Sequence, residues 1–154
     1  MPGRVAAFIV DRPVKREIFA SPFRDRIVHH LLYAKLNPLF ERAFIYDSYS
    51  CRTGKGMLLG IRQLERFIRS CSQNHAQPVF VLKLDISGFF MSISRSRLYA
   101  LLEAFLLARY TNSDLPVVMA LVQKVVFHDP VSHCVIRGRR SDWTGLPDDK
   151  SMLR

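Results

Sequence analysis

The sequence predicts an α+β fold, and three observations support this prediction. Residues 4–10 (RVAAFIV) are mostly apolar and partly β-branched, the turn residues Asp11-Arg12-Pro13 follow, and residues 15–20 (KREIFA) combine charged and apolar side chains. This pattern favours an N-terminal β-hairpin. Several longer segments repeat their apolar residues at helical spacing. Residues 79–86 (VFVLKLDI) form a nearly continuous apolar run, which is typical of a strand buried on both faces.

Five helices are predicted after the hairpin. The first contains apolar residues at helical spacing, namely Ile27, Val28, Leu31, Leu32 and Leu36. Asn37-Pro38 then predicts a break, because Asn is a good N-cap and Pro is favoured at the first helical position. Ser94 is a candidate cap for a later helix. The predicted helices are 23–36, 38–43, 57–71, 94–109 and 114–127, and residues 128–154 are predicted to be irregular.

Composition indicates a globular chain with a polyanionic partner. The 154 residues are 49% hydrophobic and 23% charged, which suits one compact domain or a piece of a larger one and excludes a disordered chain. Lys and Arg number 23 against 13 Asp and Glu, a formal net charge of +10. Such an excess favours binding to nucleic acid or to an anionic membrane surface.

Membrane-spanning, secreted and zinc-binding classes are not favoured. No apolar run approaches the roughly 20 residues that a membrane-spanning helix needs. The apolar stretch near the N-terminus is broken at Asp11 and is shorter than the hydrophobic region of a signal peptide. Cys51, Cys71 and Cys134 are odd in number and widely spaced, which favours neither a disulfide framework nor a zinc site. The sequence therefore predicts a cytoplasmic protein without a membrane partner.

Asp85 is the most specific candidate for chemistry. It ends the apolar run of the predicted strand and is followed by Ile-Ser-Gly-Phe-Phe. A carboxylate buried without a partner is costly, so it usually has a metal ion, an arginine or hydrogen-bond donors nearby. Two interpretations remain: Asp85 is a helix N-cap at the end of a strand, or it is a Mg²⁺ ligand beside a loop that phosphates can enter.

Two basic segments are candidates for phosphate binding. Arg16 lies on the predicted hairpin and Arg24 at the start of the first helix, so the pair could clamp a triphosphate, or form a solvated basic surface. Residues 48–56 (SYSCRTGKG) resemble a phosphate-cradling loop before a helix, although the Walker A spacing is absent. The helix that follows has Arg62 and Arg66 on its polar face.

Taken in order, several segments resemble bacterial reverse transcriptases. REIFASPFRDRIVHHLL, PLFERAFIYDSYSCRTGKG and VLKLDISGFFMSI look like the fingers and first palm strand of these enzymes. DWTGLPDDKSMLR resembles the segment before the Gly-Leu-Pro loop in the enzymes of diversity-generating retroelements, and group II intron and retron enzymes share the layout. The resemblance extends from about Phe8 to Leu153 and implies a fingers-like region at residues 1–78 and a partial palm-like region at 79–154.

The resemblance implies an RNA-directed DNA polymerase that uses two Mg²⁺ ions. Asp85 matches the first catalytic aspartate, which binds both ions, and Ile86 would contribute a backbone carbonyl to one of them. Phe90 matches the bulky residue beneath the sugar that excludes a 2′-hydroxyl. Arg16 and Arg24 match the finger residues that meet the triphosphate of the incoming dNTP.

The resemblance also implies the contacts with template and primer. Arg52, Lys55 and Gly56 lie in the loop that supports template and fingers. Apart from the resemblance, the net charge of +10 and the arginines of the predicted helix indicate that Arg62 and Arg66 contact phosphates. The implied partners are an RNA template, a DNA or RNA primer, dNTPs and an accessory protein of the retroelement. The alternative is a non-catalytic basic module that binds RNA or other nucleic acid.

One departure from the family pattern matters. No Tyr-x-Asp-Asp motif is present, and Asp148-Asp149 follows a proline in a polar tail without a flanking apolar strand. The chain is therefore expected to be an N-terminal part of a polymerase that does not polymerise alone. The uncovered edge of the palm strand is expected to favour self-association.

Overall fold

The computed structural model describes residues 3–86 and 88–153, with the backbone alone for Phe90, Met91 and Asp149. The helices are α1 (Phe23–Ala43), α2 (Met57–Cys71), α3 (Phe89–Ser92), α4 (Arg95–Arg109) and α5 (Leu115–Val126). The strands are β1 (Ala6–Val10), β2 (Arg16–Ala20) and β3 (Val135–Ile136), and two short 3₁₀ turns cover Arg140–Trp143 and Asp148–Lys150. This architecture confirms the predicted α+β class. None of the described helices is both long and apolar enough to cross a bilayer.

The predicted N-terminal hairpin is confirmed, and a third strand extends it. β1 and β2 pair antiparallel, from Ala6 opposite Ala20 to Val10 opposite Arg16. β3 pairs parallel with the other edge of β1, which gives the order β2-β1-β3. β3 lies in the segment that was predicted to be irregular. Two residues with no alternating pattern of their own give too short a signal for sequence analysis.

Three of the predicted helices are confirmed, and their ends agree with the prediction to within one residue. They are α2, α4 and α5. Ser94 caps α4 as predicted, because its hydroxyl accepts a hydrogen bond from Arg97 N at 3.4 Å. In α5, Val118 and Val122 are buried one turn apart, as the helical spacing of apolar residues requires.

The predicted break at Asn37-Pro38 is wrong, because α1 continues through Pro38 to Ala43. Proline removes one backbone donor and can kink a helix, but it does not always end one, and the residues on both sides of Pro38 are helical.

The boundary between two compact units of the chain also falls here, between Leu36 and Asn37. The chain divides into two compact units, a first unit of Met1–Leu36 with Ile86–Arg154 and a second unit of Asn37–Asp85. These units do not coincide with the fingers-like and palm-like regions expected from the resemblance, which remain a prediction.

The predicted strand at residues 79–86 is also wrong. The segment has no regular secondary structure, and Phe80, Leu82 and Leu84 are at least 80% exposed. A doubly buried strand needs a neighbouring strand on at least one side and layers on both faces. Within the described ranges, the pairing strands are β1, β2 and β3, and none of them pairs with this segment.

The buried apolar side chains of the described residues all belong to the first unit. They are Val5, Ala7, Leu32, Leu106, Tyr110, Val118, Val122, Trp143 and Leu146.

Hydrogen bonds connect the C-terminal segment to the hairpin. Glu17 on β2 accepts hydrogen bonds from Trp143 Nε1 at 2.6 Å, Ser151 Oγ at 3.1 Å and Met152 N at 2.6 Å. This carboxylate therefore holds the C-terminal segment against the hairpin.

An ion pair links α1 to the start of α5 within the first unit. Lys35 Nζ donates to Asp114 Oδ2 at 2.5 Å, and the Tyr110 hydroxyl donates to Asp114 Oδ1 at 2.8 Å. The hydrogen bonds from Lys35 and Tyr110 lower the pKa of Asp114, and the hydrogen bond to Asp114 raises the pKa of Lys35. About a third of each side chain is exposed, so solvent screens this pair considerably.

Candidate nucleic-acid interface

Arg52 holds the loop between α1 and α2 in place. Its Nε donates to Glu41 Oε2 at 3.0 Å, its Nη2 to the backbone oxygen of Glu41 at 3.2 Å, and its Nη1 to the backbone oxygens of Ile45 and Ser48 at 2.8 and 3.3 Å. Thr53 N donates to the other Glu41 oxygen at 3.3 Å. Only 8% of the Arg52 side chain is exposed. Arg52 therefore uses its donors inside the loop, and it positions the loop.

Lys55 lies on this loop between two aromatic rings. Its Nζ donates to the backbone oxygen of Tyr46 and lies 3.9 Å from the centre of the Tyr46 ring and 5.6 Å from that of Tyr49. The Tyr49 hydroxyl donates to Asp47 Oδ1 at 2.5 Å, and this hydrogen bond, with desolvation, raises the pKa of Tyr49 to about 12. A cation beside aromatic rings suits single-stranded nucleic acid, which presents both phosphates and stacking bases.

Glycine allows the loop to lie against α2. A Cβ atom on Gly60 would come within 3.2 Å of the Tyr49 ring, so a larger residue there would displace the ring or the helix. Gly54 has a φ of 69°, in the left-handed region that favours glycine. Gly56 is the N-cap residue of α2, and no side-chain hydrogen bond caps this helix. Its role in the loop that supports the template stays a prediction.

α2 exposes both its arginines and its apolar residues. Arg69 Nη2 donates to Glu65 Oε1 at 2.6 Å, and Arg66 Nη1 to Gln63 Oε1 at 3.4 Å. Within the described residues, Arg62 has no hydrogen-bond or ion-pair partner. No residue of α2 is buried, and five apolar side chains are 45–82% exposed, namely Met57, Leu58, Ile61, Leu64 and Phe67. The helix therefore presents cations beside an apolar surface.

Asp85 lies at the end of the exposed segment 79–86, and it is itself exposed. Asp85 therefore does not end a buried strand, because the predicted strand is not formed. Ile86 is 65% exposed. Among the residues that the structure describes, no group of three His, Cys, Asp or Glu side chains could hold a metal ion. The assignment of Asp85 and Ile86 as Mg²⁺ ligands stays a prediction.

Phe90 falls in α3, which begins after Gly88 with a φ of 60°. The Phe90 side chain lies outside the described part of the structure, so its predicted contact with the sugar also stays a prediction.

The two residues that were predicted to bind the triphosphate, Arg16 and Arg24, lie in the first unit and are exposed. Arg16 is the first residue of β2, and Arg24 lies in the first turn of α1 with 75% of its side chain exposed. Arg24 Nε is 3.6 Å from Asp25 Oδ1. The other predicted cations, Arg52, Lys55, Arg62 and Arg66, belong to the second unit. The predicted site residues are therefore divided between the two units.

Glu41, the partner of Arg52 in the loop, was not among the residues predicted from the sequence. Glu41 lies on α1, eleven positions before Arg52, and this separation fits no helical or strand spacing. Glu17 was missed as well, although a signal existed: a carboxylate on a predicted strand whose next three residues, Ile18, Phe19 and Ala20, are apolar needs a partner.

Comparisons with protein-family models, with curated proteins and with solved structures gave no match.

Proposed function

We propose that this chain supplies the template-binding and nucleotide-binding parts of an RNA-directed DNA polymerase of the reverse-transcriptase type. The observation that best supports the proposal is the loop fixed by Arg52, which presents Lys55 and leads directly into the arginines of α2. The segments that resemble reverse transcriptases include this loop. In the proposed role, Lys55, Arg62 and Arg66 contact phosphates of the template or primer, while Arg52 positions the loop.

The proposed chemistry is nucleotidyl transfer assisted by Mg²⁺. Asp85 and the backbone carbonyl of Ile86 would help to hold the metal, and Arg16 and Arg24 would bind the triphosphate of the incoming dNTP. Two-metal transfer requires several carboxylates to hold ions roughly 3.5–4 Å apart. Asp85 alone does not supply them, so this chain is expected to bind template and primer without extending the primer. Primer extension by the chain alone would contradict this part of the proposal.

A salt titration of RNA binding tests the proposed interface. Each lost phosphate contact should reduce the slope of log K against log salt by about 0.7–0.9. The triple variant Lys55→Gln, Arg62→Gln, Arg66→Gln should therefore bind labelled RNA with a visibly shallower slope than the wild type. A control triple variant, Arg97→Gln, Arg109→Gln, Lys150→Gln, removes the same charge from the first unit. Equal slopes for both variants would show that net charge alone causes the binding.

A non-catalytic nucleic-acid-binding module is the second candidate, and the exposure of Asp85 outside any strand favours it. Template-directed nucleotide binding separates the two functions. A polymerase should bind the dNTP complementary to the template more tightly than a mismatched dNTP in the presence of Mg²⁺, and Arg24→Gln should weaken both. A binding module should not distinguish the two nucleotides.

A further inference from the structure

A cavity of about 300 Å³ lies within the first unit, between the N-terminal half of α1 and the C-terminal half of α5. Its apolar floor includes Val28 and Leu121, and its polar wall includes Arg24, His29 and Lys124. The sequence placed one lining residue, Arg24, in a triphosphate site, but the cavity itself was not predicted, because α1 and α5 are separated by more than seventy residues in the chain. A pocket of this size with a few convergent polar groups is typical of a small-ligand site.

The polar wall favours an anion. Arg24 and Lys124 are cations, and His29 and His128 can donate hydrogen bonds from their rings. Within the described residues, the side chains of Lys124, His29 and His128 make no hydrogen bond or ion pair. Their donors are therefore available to a ligand.

Asp25 is the acidic residue of this wall, and its charge is partly compensated. Its Oδ2 accepts a hydrogen bond from Gly3 N at 2.7 Å, and its Oδ1 lies 3.6 Å from Arg24 Nε. Its side chain is only 15% exposed. Asp25 therefore anchors the N-terminal segment through Gly3, and most of its side chain is buried although the residue lines the cavity.

The helix ends at the cavity have opposite effects on an anion. Ser21 lies just before α1 and lines the cavity, so the cavity adjoins the N-terminal end of this helix of 21 residues, where the helix dipole favours an anion. The C-terminal end of α5 disfavours an anion, but Lys124 lies in its last turn and offsets that effect.

A second recess continues from the cavity. It shares Lys124 and His128 with the cavity and adds Arg4, Asp129 and His133, with a volume of about 890 Å³. Asp129 is occupied by its own loop, because its Oδ1 accepts a hydrogen bond from Val131 N at 3.0 Å. The two depressions therefore adjoin at Lys124 and His128.

We infer that the cavity between α1 and α5 binds a phosphate group of a nucleotide or nucleic-acid strand through Lys124, His29 and His128. This site lies within the first unit and shares Arg24 with the proposed dNTP site, whereas its contacts through Lys124, His29 and His128 do not depend on the proposed polymerase function. A single nucleotide would occupy the cavity alone. A single strand would continue past Lys124 and His128 into the recess beside Arg4 and His133.

Nuclear magnetic resonance of the histidine rings tests this inference on the whole chain. Inorganic phosphate, uridine 5′-monophosphate and a single-stranded RNA of roughly 10 nucleotides are titrated separately. We expect saturable shifts of the His29 and His128 signals with each. If the His133 signal shifts with the RNA but not with phosphate or uridine 5′-monophosphate, the ligand is a nucleic-acid strand. If only the His29 and His128 signals shift, and they do so with all three ligands, the ligand is a single nucleotide.

Lys124→Gln should weaken uridine 5′-monophosphate binding about tenfold or more, because it removes a charge-assisted hydrogen bond. Lys150→Gln, an exposed lysine of the same unit outside the cavity lining, should change the affinity less than about twofold. The amide spectrum away from the substitution reports whether each variant is folded. Unshifted histidine signals, or equal losses in the two variants, would overturn the inference.

Discussion

The two units of this chain are stabilised differently. In the first unit, apolar side chains from β1, α1, α4, α5 and the C-terminal segment are buried. In the second unit, no apolar residue of the described range is buried, and hydrogen bonds around Arg52 and Glu41 hold the loop instead. Burial of apolar surface is the main source of folding free energy. The comparison indicates that the first unit provides stability, while the second leaves its apolar and cationic groups exposed for binding.

Replacing one leucine in each unit should give the largest contrast. Leu106 in α4 is fully buried, so Leu106→Ala should lower the free energy of unfolding by about 2–5 kcal/mol. Leu64 in α2 is 46% exposed, and Leu64→Ala should cost less than about 1 kcal/mol. Urea denaturation followed by circular dichroism measures both. Equal losses would show that the second unit also has a packed core.

Removing the carboxylate beside Arg52 should destabilise the loop specifically. Glu41→Gln leaves a largely buried guanidinium without its ionic partner, and hydrogen bonds to charged groups contribute about 1.5–3 kcal/mol. Amide hydrogen exchange should become faster at residues 44–56 and stay unchanged in α4. The matched control is Glu65→Gln, whose pair with Arg69 is 56% exposed on both sides and should contribute less than about 1 kcal/mol. If the control accelerates loop exchange equally, Arg52 does not organise the loop.

The ion pair of the first unit should produce a small effect that depends on pH. Because the folded pKa of Asp114 is lowered, its contribution to stability is present above the unfolded pKa of about 3.9 and is lost as pH falls through the folded pKa. Because the folded pKa of Lys35 is raised, its contribution is present below the unfolded pKa of about 10.4 and is lost as pH rises through the folded pKa. The difference in Tm between the wild type and Asp114→Asn should therefore be largest between about pH 4 and pH 10.

Thermal melts across this pH range measure the difference. Asp11→Asn is the control, because the Asp11 carboxylate is 74% exposed and 3.7 Å from Lys15. A constant difference for Asp114→Asn at all pH values would mean that the ion pair does not contribute.

The sequence predicted local structure well and long-range contacts poorly. Helical spacing and caps such as Ser94 depend on neighbouring residues, and the helices they predicted are present. The apolar run 79–86 failed as a strand because pairing depends on partners that the run itself does not specify. The loop cations were found from their sequence pattern, but the role of Arg52 depends on Glu41. The cavity beside Lys124 could not be predicted, since it requires α1 and α5 to come together.

Amide hydrogen exchange with and without an RNA–DNA template–primer duplex tests the account most directly. We expect slow exchange in α4 and α5 in both states, because these helices contribute to the core of the first unit. We expect faster exchange in α2 and the loop 44–56 of the free protein, and clear slowing there when the duplex binds. Exchange in free α2 as slow as in α4, or no change in the second unit at saturating duplex, would contradict it.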